Sequence, residues 1–433
     1  MMMHSVENYK TWIYYKMMAE GKFDIYVFAD WVGLESPTLI GTLSAHFAKG
    51  KKAFSFEYDK NWLKTDGQRL LDPDIEFYSG PQFPANKENF GIFLDSMPDT
   101  WGKTLMKRRA AQEARANNEK PKTLYEIDFL LGVFDESRMG ALRFKTNLDG
   151  PFLDNDAQTP TPPWSSLGDL QEAAKQLESD DQSEAVRKWI AVLIAPGSSL
   201  GGARPKANVF DTKKNLWIAK FPSKTDTIDK ALWEFLAYRM ATASGIPMAA
   251  SKVEKISGQY HTFLTKRFDR ENNKRIHFAS AMTMTGNTED SIKDASPSYL
   301  EIVEFIENYG VDVKANLHQL WRRIVFNIAI SNTDDHMRNH GFILSNKGWV
   351  LSPAYDLNPS IDKDGLSLNI DMDDNALDFD LAKSVGEYFR LNEDEMQAIL
   401  NEVLSVVKNW KTMAKEIGIK NAEIELMERA FLA

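Results

Sequence analysis

There is no cysteine among the 433 residues, which excludes disulfides, cysteine-ligated zinc, iron–sulfur clusters and thiol nucleophiles. The absence fits a reducing cytoplasm. An excess of positive charge is also lacking: 52 Lys and Arg stand against 62 Asp and Glu, a net charge of −10. The surface as a whole therefore repels phosphate backbones, and sequence-independent nucleic-acid binding is not expected, although a local basic patch stays open. Long apolar runs are missing. The longest of note, Trp189 to Ala195, is far too short for a membrane span, and the opening MMMHSVENYK lacks the apolar core of a signal peptide. A cytoplasmic protein without a membrane partner is the expectation. The seven histidines show no HExxH spacing, which speaks against a zinc protease. Asp371, Asp373 and Asn375 start like a calcium loop, but Ala376 and Ala382 stand where glycine and glutamate are required.

What is present is a chain 43% hydrophobic and 26% charged, long enough for roughly two or three domains with a sizeable core. Phe23–Trp31 and Ala53–Tyr58 are rich in aromatic and β-branched residues and read as strands. Asp99 to about Asn118 has a helical pattern with a basic outer face, read as a solvated surface. Gly150–Trp164 holds four prolines and marks a junction. Helical runs then end in Trp189–Ala195, followed by a glycine-rich turn, a strand at Leu216–Phe221 and a helix at Asp229–Ser244. Further strands are expected at Ser251–Ile256 and Tyr260–Arg267. Leu317, Leu320, Trp321, Ile324, Val325 and Ile328 follow the helical period closely, which predicts a buried helix over Val313–Ser331. Asn392 and Glu395 form a capping box ahead of a C-terminal helical stripe.

The strongest polar signal follows the buried helix: Ser331-Asn332-Thr333-Asp334-Asp335-His336-Met337-Arg338-Asn339, then a strand pair (Gly341–Leu344, Trp349–Leu351), then Ser352-Pro353-Ala354-Tyr355-Asp356. Phosphoryl transfer needs a carboxylate to accept a hydroxyl proton and hard oxygen ligands for magnesium. Protein kinases supply them as Asp-x4-Asn followed by a strand-end Asp. Asp334, Asn339 and Asp356 reproduce that order; the plainer reading of each acid alone is a polar turn. Pro196-Gly197-Ser198-Ser199-Leu200-Gly201-Gly202-Ala203-Arg204-Pro205-Lys206 can close backbone N–H groups on phosphate, with Arg204 and Lys206 adding charge. It is not a Walker A loop, because Ala203-Arg204 replace the Lys and Ser or Thr, and alone it reads equally well as a tight turn. Lys220 on an apolar strand and Glu234 on the next helix match the lysine–glutamate pair that holds α and β phosphates in kinases. A solvent-facing strand lysine is the plain alternative; the order of the three motifs favours the kinase reading.

Gly201-Gly202-Ala203-Arg204-Pro205-Lys206, the Lys220 strand, Thr265-Lys266-Arg267-Phe268-Asp269-Arg270, Asn332 to Asn339 and Ser352 to Asp356 together resemble the ordered motifs of HipA-type serine/threonine kinases, the toxins of bacterial type II toxin–antitoxin modules. The resemblance implies an α+β fold, an atypical protein-kinase-like two-lobed architecture with a small β-rich N-terminal subdomain and a mostly helical C-terminal lobe. The expected boundaries are 1–150 for the N-terminal subdomain, 151–270 for the rest of the N-lobe, and 271–433 for the C-lobe. It further implies ATP and magnesium as cofactors, Asp334 as catalytic base, and Asn339 and Asp356 as metal ligands. Gly201, Gly202, Ala203, Arg204, Pro205, Lys206, Lys220, Glu234, Lys266, Phe268, His336, Asn339, Tyr355 and Asp356 are expected around the nucleotide, and Ser199, with Ser198 beside it, at the autophosphorylation site. Implied partners are a HipB-like helix-turn-helix antitoxin, DNA reached mainly through it, and a protein substrate such as an aminoacyl-tRNA synthetase. The chain departs from the best-known members at Asp335, where they carry glycine, at Arg204-Pro205, and over Asp95–Gly102. An idle antitoxin-bound co-repressor and a small-molecule kinase are the alternative functions; the intact Lys220, Asp334, Asn339 and Asp356 set disfavours the first.

Overall fold

The computed structural model describes residues 21–48, 51–65, 69–155, 161–179, 193, 202, 204–272, 274–294 and 296–433. The N-terminal sheet is antiparallel, built from β1 (Lys22–Ala29), β2 (Thr38–Ala48), β3 (Lys51–Tyr58) and β4 (Leu142–Lys145) in the order β3-β2-β1-β4. Phe23, Ile25, Val27 and Ala29 alternate inward along β1, the period-2 pattern of a half-buried strand. β2 escapes sequence reading because Gly41 and Ser44 interrupt its apolar pattern. A Cβ at Gly41 would sit 2.4 Å from the Glu57 carbonyl oxygen and 2.5 Å from the Phe56 ring, so only glycine lets β3 approach there.

A second antiparallel sheet follows: β5 (Lys206–Phe210), β6 (Leu216–Lys220), β7 (Ser251–Glu254) and β8 (Thr262–Lys266), ordered β5-β6-β8-β7. The helix Leu167–Glu178 presents Leu170, Ala173, Ala174 and Leu177 to Val209, Ala219, Phe221 and Leu264 of this sheet region, making a small separate core. The helix Lys230–Ala243, capped by Asp229, packs against β7 and β8. A short ribbon, β9 (Arg270–Glu271) with β10 (Lys274–Arg275), leads to the third sheet of β11 (Phe278–Ser280), β12 (Gly341–Leu344) and β13 (Trp349–Leu351).

The remainder is helical. Val313–Ala329 is the central helix, with Leu317, Leu320, Trp321, Ile324, Val325 and Ile328 all fully buried, as its periodicity predicts. Glu393–Val407 begins at the expected capping box, where Glu395 N–H donates to Asn392 Oδ1 at 2.9 Å and Asn392 N–H donates to Glu395 Oε2 at 3.0 Å. The main core runs continuously from Phe23 to Ala430. Its α+β architecture, sheets leading into a helical lobe, is the expected one. Among the described residues no helix is long and apolar enough to cross a membrane. The expected helical run ending at Trp189–Ala195 falls almost wholly outside the described residues, as do Ser198, Ser199, Gly201 and Ala203.

Candidate active site

A cleft opens between the β5-β6-β8-β7 sheet and the helical lobe. Ile218, Met248, Phe263, Ala354 and Leu357 supply apolar walls, and Lys206, Lys220, Glu234 and Asp356 make one charged end. Lys266, Phe268 and Tyr355 line it as well, and Phe268 stacks on Tyr355 at 5.7 Å between centroids. Such a cleft can take a flat base on its walls and phosphates at its charged end.

Lys220 is the centre of that end. It closes β6, and its Nζ lies 2.6 Å from Glu234 Oε1 and 2.7 Å from Asp356 Oδ1. Burial alone would lower the Lys220 pKa, but the charges of Asp356 and Glu234 outweigh it and hold the ammonium above its ordinary range. Asp356 responds in the opposite sense: burial pushes it up, yet Lys220, with Lys206 and His336 further off, holds it down at about 2. Glu234, deeper and facing both Lys220 and Asp356, is raised by its burial. The register of β5 and β6 sets Lys206 directly opposite Lys220. Like charges so placed repel, and each is neutralised separately: the buried Lys206 ammonium sits 2.7 Å from the equally buried Asp99 carboxylate.

Asp99 belongs to the segment ahead of the helix Thr100–Ala116, whose first turn it caps by accepting from Gly102 N–H at 2.8 Å. Trp101 N–H donates to the Gly202 carbonyl at 3.4 Å and its indole Nε1–H to the Lys206 carbonyl at 3.2 Å. The Pro205 carbonyl accepts from Phe221 N–H at 2.9 Å. Arg204 pairs with Asp226 through two bonds of 2.9 and 2.6 Å. Both cations of the glycine-rich segment thus already hold carboxylates, and neither Asp99 nor Asp226 carried a sequence signal of that role. All of the Thr265–Arg270 motif but Arg270 lines the cleft; Arg267 and Arg270 also bond Asp269 and the carbonyls of Arg138 and Gly140.

Of the two loops after the central helix, the second lines the cleft with Tyr355, Asp356 and Leu357, whereas Asp334, His336 and Asn339 of the first are not among its lining residues. Asp334 is open to solvent, 78% exposed at its side chain, with Lys363 3.9 Å away; Asp335 beside it is buried. Asn339 Nδ2–H donates to the Asp334 carbonyl at 3.1 Å, which turns the amide oxygen the other way. Tyr355 O–H donates to the Arg338 carbonyl at 2.8 Å and ties the two loops together. Asp356 has φ +59°, a left-handed conformation uncommon outside glycine that clusters at functional sites. Lys220 and Asn358 both bond its Oδ1, which leaves Oδ2 turned away from them. An amide oxygen and a carboxylate oxygen are hard donors suited to magnesium, which takes its other ligands from water and phosphate. The described residues contain no group of three or more His, Asp or Glu that could hold a metal by itself, and such a site needs none.

Residues 198–410 match the family model of the HipA-like C-terminal domain. Over 211 residues the chain is 25% identical to a Sinorhizobium fredii (strain NGR234) protein named "Putative kinase Y4mE", a match covering 47% of this chain and 43% of that one. The chain thus matches less than half the length of that curated relative. Among solved structures, HipA of Shewanella oneidensis MR-1, solved with HipB and its operator DNA, superposes with a TM-score of 0.59 over 94% of both chains at 18% identity. That likeness carries the fold, the α+β fold of the Shewanella HipA.

Proposed function

We propose, from the match of residues 198–410 to the HipA-like C-terminal domain, that this chain is an ATP- and magnesium-dependent serine/threonine protein kinase. The observation that carries the reading is Lys220 held between Glu234 and Asp356 at the charged end of the cleft. In this reading Lys220 and Lys206 bind the nucleotide phosphates. Asn339 and Asp356 hold magnesium, which when bound offsets phosphate charge and orients the transferable group. Asp334 accepts the proton of the attacking hydroxyl, and its exposure leaves room for a macromolecular acceptor.

The acceptor is a protein hydroxyl, an aminoacyl-tRNA synthetase being the candidate that the family resemblance supplies. The same resemblance makes Ser199 the site of self-phosphorylation. About two negative charges there would repel the nucleotide. A HipB-like partner, with operator DNA reached through it, is proposed on the likeness to the Shewanella HipA solved in such a complex. Incubation of the purified protein with radiolabelled ATP and magnesium, with and without cell extract, tests the reading. Labelled bands should vanish in Asp334→Asn, and peptide mass spectrometry should find phosphate on Ser199. Labelling that survives in Asp334→Asn would discard the mechanism.

A further inference from the structure

Next in the chain to the exposed Asp334, Asp335 begins a buried polar chain that ends on Asp356. Asp335 is 1% exposed. Its Oδ2 accepts from the Tyr299 hydroxyl at 2.5 Å and from His340 Nε2 at 2.7 Å. The chain continues away from the catalytic loop. Asn327 Nδ2–H reaches the Tyr299 oxygen at 3.4 Å, and Asn332 Nδ2–H donates to Asn327 Oδ1 at 3.1 Å. Asn358 N–H donates to Asn332 Oδ1 at 3.2 Å, and Asn358 Nδ2–H donates to Asp356 Oδ1 at 3.1 Å. Tyr299, Asn327 and Asn332 have no exposure at all. A carboxylate and three buried amides or hydroxyls placed in the core beside a loop are costly unless partnered; of their side-chain polar atoms Asp335 Oδ1 lacks a hydrogen-bond partner among the described residues, and the partnered ones hold their neighbours rigidly.

We propose that Asp335, Tyr299, Asn327 and Asn332 are positioning residues that fix the catalytic loop and the Asp356 loop in register with each other. The proposal rests on the kinase reading for its effect on rate, but the network itself can be tested without any activity. Backbone bonds run alongside the side-chain ones. Asn332 N–H bonds the Asn327 carbonyl at 2.8 Å, and Ser360 N–H bonds the Ser331 carbonyl at 3.1 Å. Ser331 itself has φ +47°, a conformation that persists only when its surroundings over-determine it. Disturbing the middle of the chain should therefore loosen both loops together, whereas independent loops would respond one at a time.

Hydrogen exchange on the full chain, wild type against Tyr299→Phe, tests this. The variant removes one oxygen and keeps the ring packed edge-on against His340. Amide exchange should accelerate in both 332–339 and 356–360 while the helix Glu393–Val407 is unchanged. Asn327→Leu, which cuts the chain at its midpoint, should give the same pair of responses. In phosphoryl transfer kcat should fall on the order of ten- to a hundredfold, because small misplacements of reacting groups carry penalties of that size. KM for ATP should move by no more than about threefold. Faster exchange in only one of the two segments, or in neither, in both variants would overturn the proposal. Wild-type protein without phosphoryl transfer would sink the kinase reading, and the exchange result would still decide whether the two loops are coupled.

Discussion

The two adjacent acids of the proposed catalytic loop have opposite surroundings, and the chemistry proposed for each follows from that difference. Asp334 is open and can meet a hydroxyl; Asp335 is buried and hydrogen-bonded to Tyr299 and His340. Asp334→Asn is accordingly expected to lower phosphoryl transfer by roughly 10² to 10⁴, the usual worth of a placed general base, while calorimetry still detects magnesium–ATP binding. Asp356→Ala should act differently. It removes a candidate metal ligand and one of the two carboxylates on Lys220, so ATP affinity should lose its dependence on magnesium. Calorimetric affinities that differ as much with and without magnesium as in wild type would take Asp356 out of the metal site.

At the scale of elements, the site depends on a contact between the helix Thr100–Ala116 and the start of β5. Asp99 caps that helix and neutralises Lys206, and Trp101 bonds the backbone at Gly202 and Lys206. Removing one member of a buried ion pair leaves the other charge uncompensated, which costs roughly 3–5 kcal/mol, and loss of the cap adds about 1 kcal/mol. Asp99→Ala should thus be among the most destabilising single changes in this half of the molecule, seen as a large drop in the denaturation midpoint. A loss below about 1 kcal/mol would mean that Lys206 finds another partner.

Across the whole molecule, the N-terminal sheet and its neighbours are locked to the rest of the chain by buried charge and stacked rings. Arg267 and Arg270 share Asp269, whose carboxyl burial alone would raise but which the two guanidinium charges hold at about 2. His277 packs between Trp31 and Trp349, with centroids 5.2 and 5.5 Å away. Neither of its ring nitrogens has a hydrogen-bond partner among the described residues. Burial lowers its pKa to about 3. Below pH 6.5 the unfolded chain therefore takes up a proton that the folded one refuses, so stability falls as pH falls from 6.5 towards 3, and Asp269 adds its own loss between about 3.8 and 2. At pH 5 the histidine alone should cost about 2 kcal/mol relative to pH 8. Urea denaturation of His277→Phe at the two pH values should show that increment gone. An unchanged difference would assign the acid sensitivity elsewhere.

Local features were legible from the sequence because they depend on near neighbours. The 3.6 period of Leu317 to Ile328, the Asn392–Glu395 box, the hairpin after Asn339 and the order of Lys220, Asp334, Asn339 and Asp356 all repeat local rules of backbone and side chain. β2 and β5 were not legible, since glycine and polar residues interrupt the alternation that a strand shows when one face alone is buried. Pairing of charges was decided by the tertiary structure. Lys220 meets Asp356 across 136 residues and Lys206 meets Asp99 across 107, and no spacing encodes such a partner. Which of Asp334 and Asp335 faces solvent was likewise set by the packing of Tyr299 and His340. Electrostatic and hydrogen-bond energies fall steeply with distance and misalignment, so the choice of partner belongs to the packed core that brings distant segments within 3 Å, and not to the order of residues along the chain.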